Sequence, residues 1–319
     1  MVWLMAVVGL VILLLAGDAL VKGAVNLSLR LGIPALIVSL TIVAFGTSAP
    51  ELLISVSAVL EDAPGLALGN VVGSNTANVL LVLGVPALIS TLKTCDCETR
   101  KMFSIMLLAT LVFIGLAYTG EFGLWQGIVL LVGLALFLGD AARQGKRAHK
   151  DGQSCATLQD DDEDLEGADP DMPGWKIAMY LGLGLIGLPL GADILVESAT
   201  VIARAYGVSE TVIGLTLVAI GTSLPELATT VMAALRNQAD VALGNVIGSN
   251  LFNLLAIIGV ASMFGTIPVA DQMLSFDLWV MLAASLVLIP FVFFKVNLNR
   301  IWGAILTSCY IGYVMAVLL

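Results

Sequence analysis

Two glutamates, Glu51 and Glu226, stand near the middle of long apolar runs, and each closes a copy of one hexapeptide, GTSAPE at 46–51 and GTSLPE at 221–226. An isolated acidic side chain in hydrocarbon costs about 2.5–3.5 kcal/mol on insertion scales, so it needs a partner. No Lys, Arg or His lies in the central part of any apolar run, and the single histidine, His149, falls in a polar stretch. A bound metal ion or protons must therefore neutralise the pair. Protonated glutamates that merely satisfy helix contacts would not explain why both copies keep the same polar neighbours. Thr47, Ser48, Thr222 and Ser223 add hydroxyl oxygens one turn from each glutamate. Pro50 and Pro225 each remove a backbone donor and clash with the carbonyl four residues earlier, while Gly46 and Gly221 ease local unwinding. The expectation is a discontinuous helix in each copy, with carbonyl oxygens freed toward a buried or wet cavity. Oxygen-only ligands suit hard cations. Calcium takes six to eight of them and sodium can share part of such a cage, whereas copper and zinc would need the thiolates or imidazoles missing here.

A second element also occurs twice, as GNVVGSNTANVLL from 69 and GNVIGSNLFNLL from 244. It supplies Ser74, Asn75 and Asn78 in one copy and Ser249, Asn250 and Asn253 in the other. Ser74 and Asn78 are four apart and share a helix face, as do Ser249 and Asn253. These side chains are candidate ligands. Gly69, Gly73, Gly244 and Gly248 are expected to serve close helix packing through small-xxx-small contacts. Asn70, Asn75, Asn245 and Asn250 could equally bond between helices or behind the ligands.

The elements that must position these residues follow from composition. The chain has 319 residues, 59% apolar and 12% charged, against about 25% charged in soluble domains, and its mean hydropathy is +1.02. An ordinary cytosolic enzyme is excluded. At roughly 30 residues per span and connection, the length admits about ten spans. Apolar runs fall near 2–21, 33–59, 65–91, 102–119, 123–140, 175–196, 209–235, 241–267, 276–294 and 301–318. With the N-terminus outside, thirteen of the fourteen basic residues lie on the inner face and only Arg204 falls outside, a strong positive-inside bias. The opening run has no basic residue before it, which argues against a conventional secretory signal peptide.

Sliding the chain against itself by 175 residues aligns 41–60 with 216–235 at twelve identities in twenty, and without a gap aligns 69–84 with 244–259 and Asp18 with Asp193. Five spans separate each element from its copy. An odd number means that the halves lie upside down relative to one another, the architecture of alternating-access transporters with a substrate site near mid-membrane. The expected fold is thus an all-α polytopic membrane protein of ten transmembrane helices in two inverted five-helix repeats. These occupy 1–140 and 175–319 and are joined by a cytoplasmic linker at 141–174. The formal charge of −10 is largely local, since Asp160 to Asp171 holds eight acidic residues, and such acidity argues against nucleic acid as a partner. Cys95, Cys97, Cys155 and Cys309 are too few and scattered for a disulfide framework and read as free thiols.

The paired signature GTSxPE and GNxxGSNxxN resembles the cation/calcium exchanger superfamily, most closely its small prokaryotic sodium/calcium exchangers of ten helices. The match covers the whole transmembrane plan. The resemblance implies that Glu51 and Glu226 are the central acidic ligands shared by calcium and sodium. Thr47, Ser48, Thr222 and Ser223, with the carbonyls of Ala44 and Ala219, would flank them, and Ser74, Ser249, Asn78 and Asn253 would supply polar ligands from the third and eighth helices. It also implies exchange of three sodium ions per calcium, with the first and sixth helices sliding against a bundle of the rest. Some relatives carry aspartate where this chain has Asn78 or Asn253, including at the position linked to potassium dependence, so the cage here holds two formal charges and potassium transport is not expected. Asp18 and Asp193, near the ends of the sliding helices, are expected to make cap or gating contacts.

The function so implied is secondary antiport in the cell membrane, sodium flowing in and calcium out, with the two ions as substrates, the lipid bilayer as surroundings, no cofactor and no enzymatic activity. Two carboxylates balance one calcium or two sodium ions. Proton/calcium exchange is the near rival, since protonation of the same glutamates could release calcium. An intramembrane hydrolase built on Ser48 or Ser223 has no membrane histidine or lysine to act as base. A non-transporting calcium sensor would rest on the acidic linker. Counting from Asp162 puts Asp164, Glu166 and Gly167 at calcium-loop offsets, but the twelfth position is Pro173. A solvated connector is the expectation there.

Overall fold

A computed structural model describes residues 2–92, 98–151, 168–207, 219–294 and 296–318. Helices dominate, because a segment crossing hydrocarbon finds no water for its amides and must close its own hydrogen bonds. Among the described residues nine helices are long and apolar enough to span a membrane, and the molecule has the all-α polytopic architecture expected. The seventh expected span, 209–235, is described only from 219 onward.

The first half begins with α1 (Val2–Leu31). A second span follows, built of α2 (Ala35–Val38), a π-turn at Ser39–Val43 and α3 (Ala44–Leu60). The third joins α4 (Pro64–Ala77), a π-turn at Asn78–Val82 and α5 (Gly84–Ile89). Next come α6 (Glu98–Ala117), the short strand β1 (Glu121–Phe122) and α7 (Leu124–Asp151). The second half opens with α8 (Gly174–Ala205), then α9 (Ala219–Thr222) and α10 (Leu224–Leu235). Its third span comprises α11 (Ala239–Leu251), a π-turn at Phe252–Ile257 and α12 (Ile258–Ala261), followed by β2 (Ile267–Pro268). A π-turn at Met273–Asp277 leads into α13 (Leu278–Val287) and α14 (Ile289–Phe293), and α15 (Arg300–Leu318) ends the described chain.

Three expectations about span limits change, the sixth run continuing as helix to Ala205. The first run continues as helix to Leu31 and the fifth to Asp151, because polar residues beyond a hydrocarbon-length segment still prefer helix once it is nucleated. At about 1.5 Å per residue, α1 and α8 are some 45–48 Å long and exceed the hydrocarbon thickness.

The inverted repeat is visible in matched contacts. A Cβ on Gly9 would lie 2.7 Å from the Leu195 amide, and one on Gly184 would lie 2.9 Å from the Leu20 amide, the same contact shifted by 175 residues. Only glycine lets α1 and α8 approach this closely. A Cβ on Gly303 would fall 2.7 Å from the Gly84 carbonyl, and one on Gly127 would fall 3.0 Å from that of Gly259. Strand links tie the halves in the same way. β1 pairs antiparallel with β2, Phe122 opposite Ile267, while Leu92 pairs with Leu298. Each half's third span is thus laced to the entry of the other half's fifth.

Burial sorts the helices into frame and periphery. The most apolar window of the span Ala239–Ala261 is wholly buried, against 22% for that of α8. The third spans of both halves form the centre, and α1, α7, α8 and α15 lie outside them, at 39%, 28%, 22% and 17%; α1 and α8 pack chiefly on each other.

Candidate ion-binding site

Glu51 lies on α3 and Glu226 on the first turn of α10, and neither side chain has any solvent exposure. The halves meet through these helices. The Ser48 hydroxyl of the first half donates to Glu226 Oε1 of the second at 3.1 Å. Ser48 and Ser74 stand beside Glu51 without closing a hydrogen bond to it. The Thr47 hydroxyl lies 3.3 Å from the Ala44 carbonyl and 3.4 Å from Asn245 Oδ1.

Local backbone explains how these groups face inward, and it differs from the expectation. The second copy is broken as expected, with Ser223 between α9 and α10 at φ −92°, ψ 3°. The first copy is not broken: α3 runs unbroken through Gly46 and Pro50. Its irregularity sits one turn earlier, in the π-turn at Ser39–Val43. Pro50 costs only its own amide bond, and a π-turn, which releases a carbonyl from the α-helical ladder, takes the place of a break. Two more π-turns begin at Asn78 and Phe252, so that Asn78 and Asn253 occupy widened turns in the central spans. No glycine or proline marks the π-turns at Ser39–Val43, Asn78–Val82 or Phe252–Ile257, and sequence reasoning, which relied on those residues, missed them.

Around the glutamates the asparagines act as cross-braces. Asn245 Nδ2 donates to the Glu226 carbonyl at 3.3 Å and to the Thr230 hydroxyl at 3.1 Å. Asn70 reaches Ser55 at 3.3 Å, the same bond in the first half. Asn78 Nδ2 donates to Asn250 Oδ1 at 3.1 Å, and Asn250 Nδ2 to the Asn75 carbonyl at 3.5 Å, joining the two central spans. Asn70, Asn245 and Asn250 are thus interhelical bonders. Gly244 and Gly248 pack as expected, a Cβ on Gly248 falling 2.6 Å from the Leu40 carbonyl. Gly69 and Gly73 have no described atom within 4 Å of such a Cβ, and the positions equivalent to Leu36 and Leu40, 211 and 215, lie outside the described residues.

With these braces made, a set of buried polar atoms is left over. Both oxygens of Glu51, Oε2 of Glu226, Oδ1 of Asn78, the hydroxyls of Ser223 and Ser249 and both amide atoms of Asn253 have no hydrogen-bond partner. Native interiors hold few such atoms, and each one calls for an explanation. Those above belong to six of the residues singled out from sequence. Thr222 is half-buried, and only the backbone of Ala219 is described. Oxygen acceptors dominate the set, and two of the residues are formally charged, a donor chemistry that fits a hard cation. Among the described residues no three His, Cys, Asp or Glu side chains gather to hold a metal. A cage of two carboxylates plus neutral oxygens suits an ion that must leave again better than a resident one.

Other expectations fall elsewhere. Of the two contacts expected of Asp18 and Asp193, the cap is absent, since both lie inside helices; Asp18 instead pairs with Lys22 at 3.1 Å and with Arg236, at the end of α10, at 2.5 Å, and Asp193 is exposed on α8. Cys309 is a free, exposed thiol, whereas Cys95, Cys97 and Cys155 lie outside the described residues. So does most of the acidic run, including Asp162, Asp164, Glu166 and Gly167.

Comparison with known proteins agrees with this geometry. A family model described as sodium/calcium exchanger protein matches residues 1–139 and 176–319. The sodium/calcium exchanger MaX1 of Methanosarcina acetivorans is 34% identical, over 98% of this chain and 97% of its own. The inner membrane protein YrbG of Escherichia coli is 35% identical over 88% of this chain and 85% of its own. A solved structure of the sodium-calcium exchanger NCX_Mj, soaked with sodium and strontium, superposes with a TM-score of 0.81 at 31% identity and covers 99% of both chains.

Proposed function

The chain belongs to the sodium/calcium exchanger protein family, and on that premise we propose that it exchanges sodium for calcium across the membrane at the Glu51/Glu226 cradle. The observation that carries this reading is the pair of fully buried carboxylates, one from each inverted half, three of whose four oxygens lack a protein partner. A calcium ion between them would be charge-balanced. Two sodium ions would balance it equally, so the cargoes compete for the same oxygens. The ligands are Glu51, Glu226, Thr47, Ser48, Thr222, Ser223, Ser74, Ser249, Asn78 and Asn253, with the carbonyls of Ala44 and Ala219. The Ser48–Glu226 bond is the kind of contact that a cation would rearrange, since the serine oxygen can turn from donating a proton to coordinating the ion.

Alternating access in this reading comes from α1 and α8 moving against the frame. They are peripheral and meet each other through glycines, which lets helices slide with few interlocking side chains. The repeats are 1–140 and 175–319, with 141–174 as a cytoplasmic connector and the N-terminus outside. The basic-residue bias supports that orientation.

Calcium uptake into proteoliposomes under imposed sodium, potassium and proton gradients tests the proposal. A sodium gradient at fixed pH should drive uptake and potassium should not. Uptake driven only by a pH gradient would transfer the assignment to proton/calcium exchange.

A further inference from the structure

The inverted repeat places α1 against α10 on one face and α8 against α3 on the other. The described structure treats these two equivalent contacts differently. Gly17 of α1 is seated on α10, where a Cβ would lie 3.0 Å from the Ala228 carbonyl and 3.3 Å from the Met232 side chain. The counterparts 175 residues away are Ala192 and Leu53. Ala228 is 7% exposed, whereas Leu53 on α3 is 69% exposed. The contact is made at the Arg236 end and left open at the Glu61 end.

The turns that follow α3 and α10 share one backbone. Glu61 has φ −94°, ψ 19° and Arg236 has φ −94°, ψ 11°, and the next residues, Asp62 and Asn237, both take the left-handed conformation at φ 58° and 55°. The 58–63 and 233–238 hydrogen bonds match at 2.8 Å. On this common backbone the side-chain charges are reversed. At the Arg236 end, Arg236 Nε and Nη2 both reach Asp18 Oδ1 at 2.5 Å, and Lys22 Nζ reaches Oδ2 at 3.1 Å. At the other end the equivalent residues are Glu61, Asp193 and Glu197. All three are acidic and exposed, and no ion pair joins any of them among the described residues. Arg204 lies nearly two turns beyond Glu197 on α8.

We propose that Asp18, Lys22 and Arg236 form a one-sided electrostatic latch that holds α1 on α10 and biases the resting protein toward the state closed at that end, while the acidic trio Glu61, Asp193 and Glu197 prevents an equal latch at the other. Charge-assisted bonds from a guanidinium to one carboxylate are strong and directional. Arg236 is only 14% exposed, so salt screens the pair less than it would a surface pair. Seating α8 on α3 would bring two acidic side chains toward a third. Both effects act in the same direction, and with the N-terminus outside, the closed end is cytoplasmic. The inference rests on the alternating-access reading.

Amide hydrogen exchange on the purified full chain in ion-free buffer tests it at the two ends, over 230–237 and 55–62, alongside calcium half-saturation measured from each face in oriented vesicles. Arg236→Gln should raise exchange over 230–237 about fivefold and lower the half-saturating calcium at the cytoplasmic face about threefold. Glu61→Arg, on an exposed turn where misfolding is no concern, should shift both readouts the same way by building a latch on Asp193. The double variant Asp18→Arg/Arg236→Asp should return exchange to the parent level. The latch is refuted if Arg236→Gln and Glu61→Arg both stay within twofold of the parent at both ends, or if the double variant behaves like Arg236→Gln. A parent that shows the latch pattern but carries no sodium-driven calcium flux would leave the latch standing and remove the transport assignment instead.

Discussion

The Ser48 hydroxyl, from the first half of the chain, donates to Glu226 of the second across 3.1 Å, although 178 residues separate them. This bond crosses the pseudo-symmetry interface at the point where two charges are buried. It makes the second half's glutamate depend on the first half, while the reciprocal bond, from Ser223 to Glu51, is not made and leaves both groups without a partner.

Glu51→Gln and Glu226→Gln should each reduce sodium-driven calcium flux at least a hundredfold in proteoliposomes. Both variants should fold, since removing an uncompensated buried charge relieves a penalty. Saturating calcium should raise the melting temperature of the parent, a ligand at a hundred times its Kd stabilising by about 2.7 kcal/mol. Either variant should lose that shift. A retained shift would place the calcium elsewhere.

Ser48→Ala leaves Glu226 Oε1 without its donor and removes a candidate ligand. Loss of the ligand oxygen outweighs loss of a bond that the ion would break in any case, and a group supporting a metal site is commonly worth about ten- to hundredfold in affinity, so calcium half-saturation should rise by that much. Isothermal titration of the purified variant gives the number directly, and an unchanged affinity would remove Ser48 from the cradle.

Asn245→Ala removes the brace between α11 and α10, including the bonds to the Glu226 carbonyl and Thr230. The Glu226 carbonyl also accepts from Thr230 at 2.7 Å, which limits the damage. A loss of about 1–3 kcal/mol in stability is expected, with calcium affinity falling less than in Ser48→Ala. Thermal melts with and without calcium separate the two effects.

Gly248→Ala should cost more than its small volume suggests. Its Cβ would fall 2.6 Å from the Leu40 carbonyl and 2.6 Å from the Ala44 Cβ, and backbone cannot swing aside as a flexible side chain would. Overpacking of this kind costs about 1–3 kcal/mol. Because α11 is pressed against the π-turn of the second span, calcium flux should fall with stability, as a melt and a flux assay on one preparation would show.

Deleting 158–167 should leave the calcium dependence of flux unchanged, as a plain connector requires. The deletion keeps Asp169, whose amide donates to Asn26 Oδ1 of α1 at 2.8 Å. A shifted calcium dependence would assign a regulatory site to the acidic run.

Much of this arrangement was legible in the sequence because hydrocarbon is an unforgiving solvent. Glu51 and Glu226 could not be there without cause, and the 175-residue offset placed them on opposite-facing halves before any coordinates. Positions of the π-turns were not legible, since Ser39–Val43 and Asn78–Val82 carry no breaker residue and a widened turn is set by how neighbouring spans pack. Pro50 misled for the complementary reason: a proline predicts a lost hydrogen bond, not whether the helix closes around it. The sequence shows Asp18 only as a residue near the end of an apolar run, open to a cap or a gating contact, because its partner Arg236 lies 218 positions away, beyond the reach of any local pattern.

The two lacings, Phe122 to Ile267 and Leu92 to Leu298, stitch each central span to the entry of the other half's fifth span. A frame so sewn cannot hinge open like a book. In the proposed cycle the outer helix pair shuttles past that frame through the surrounding oil, which would make the thickness and fluidity of the bilayer part of the machinery that sets its pace.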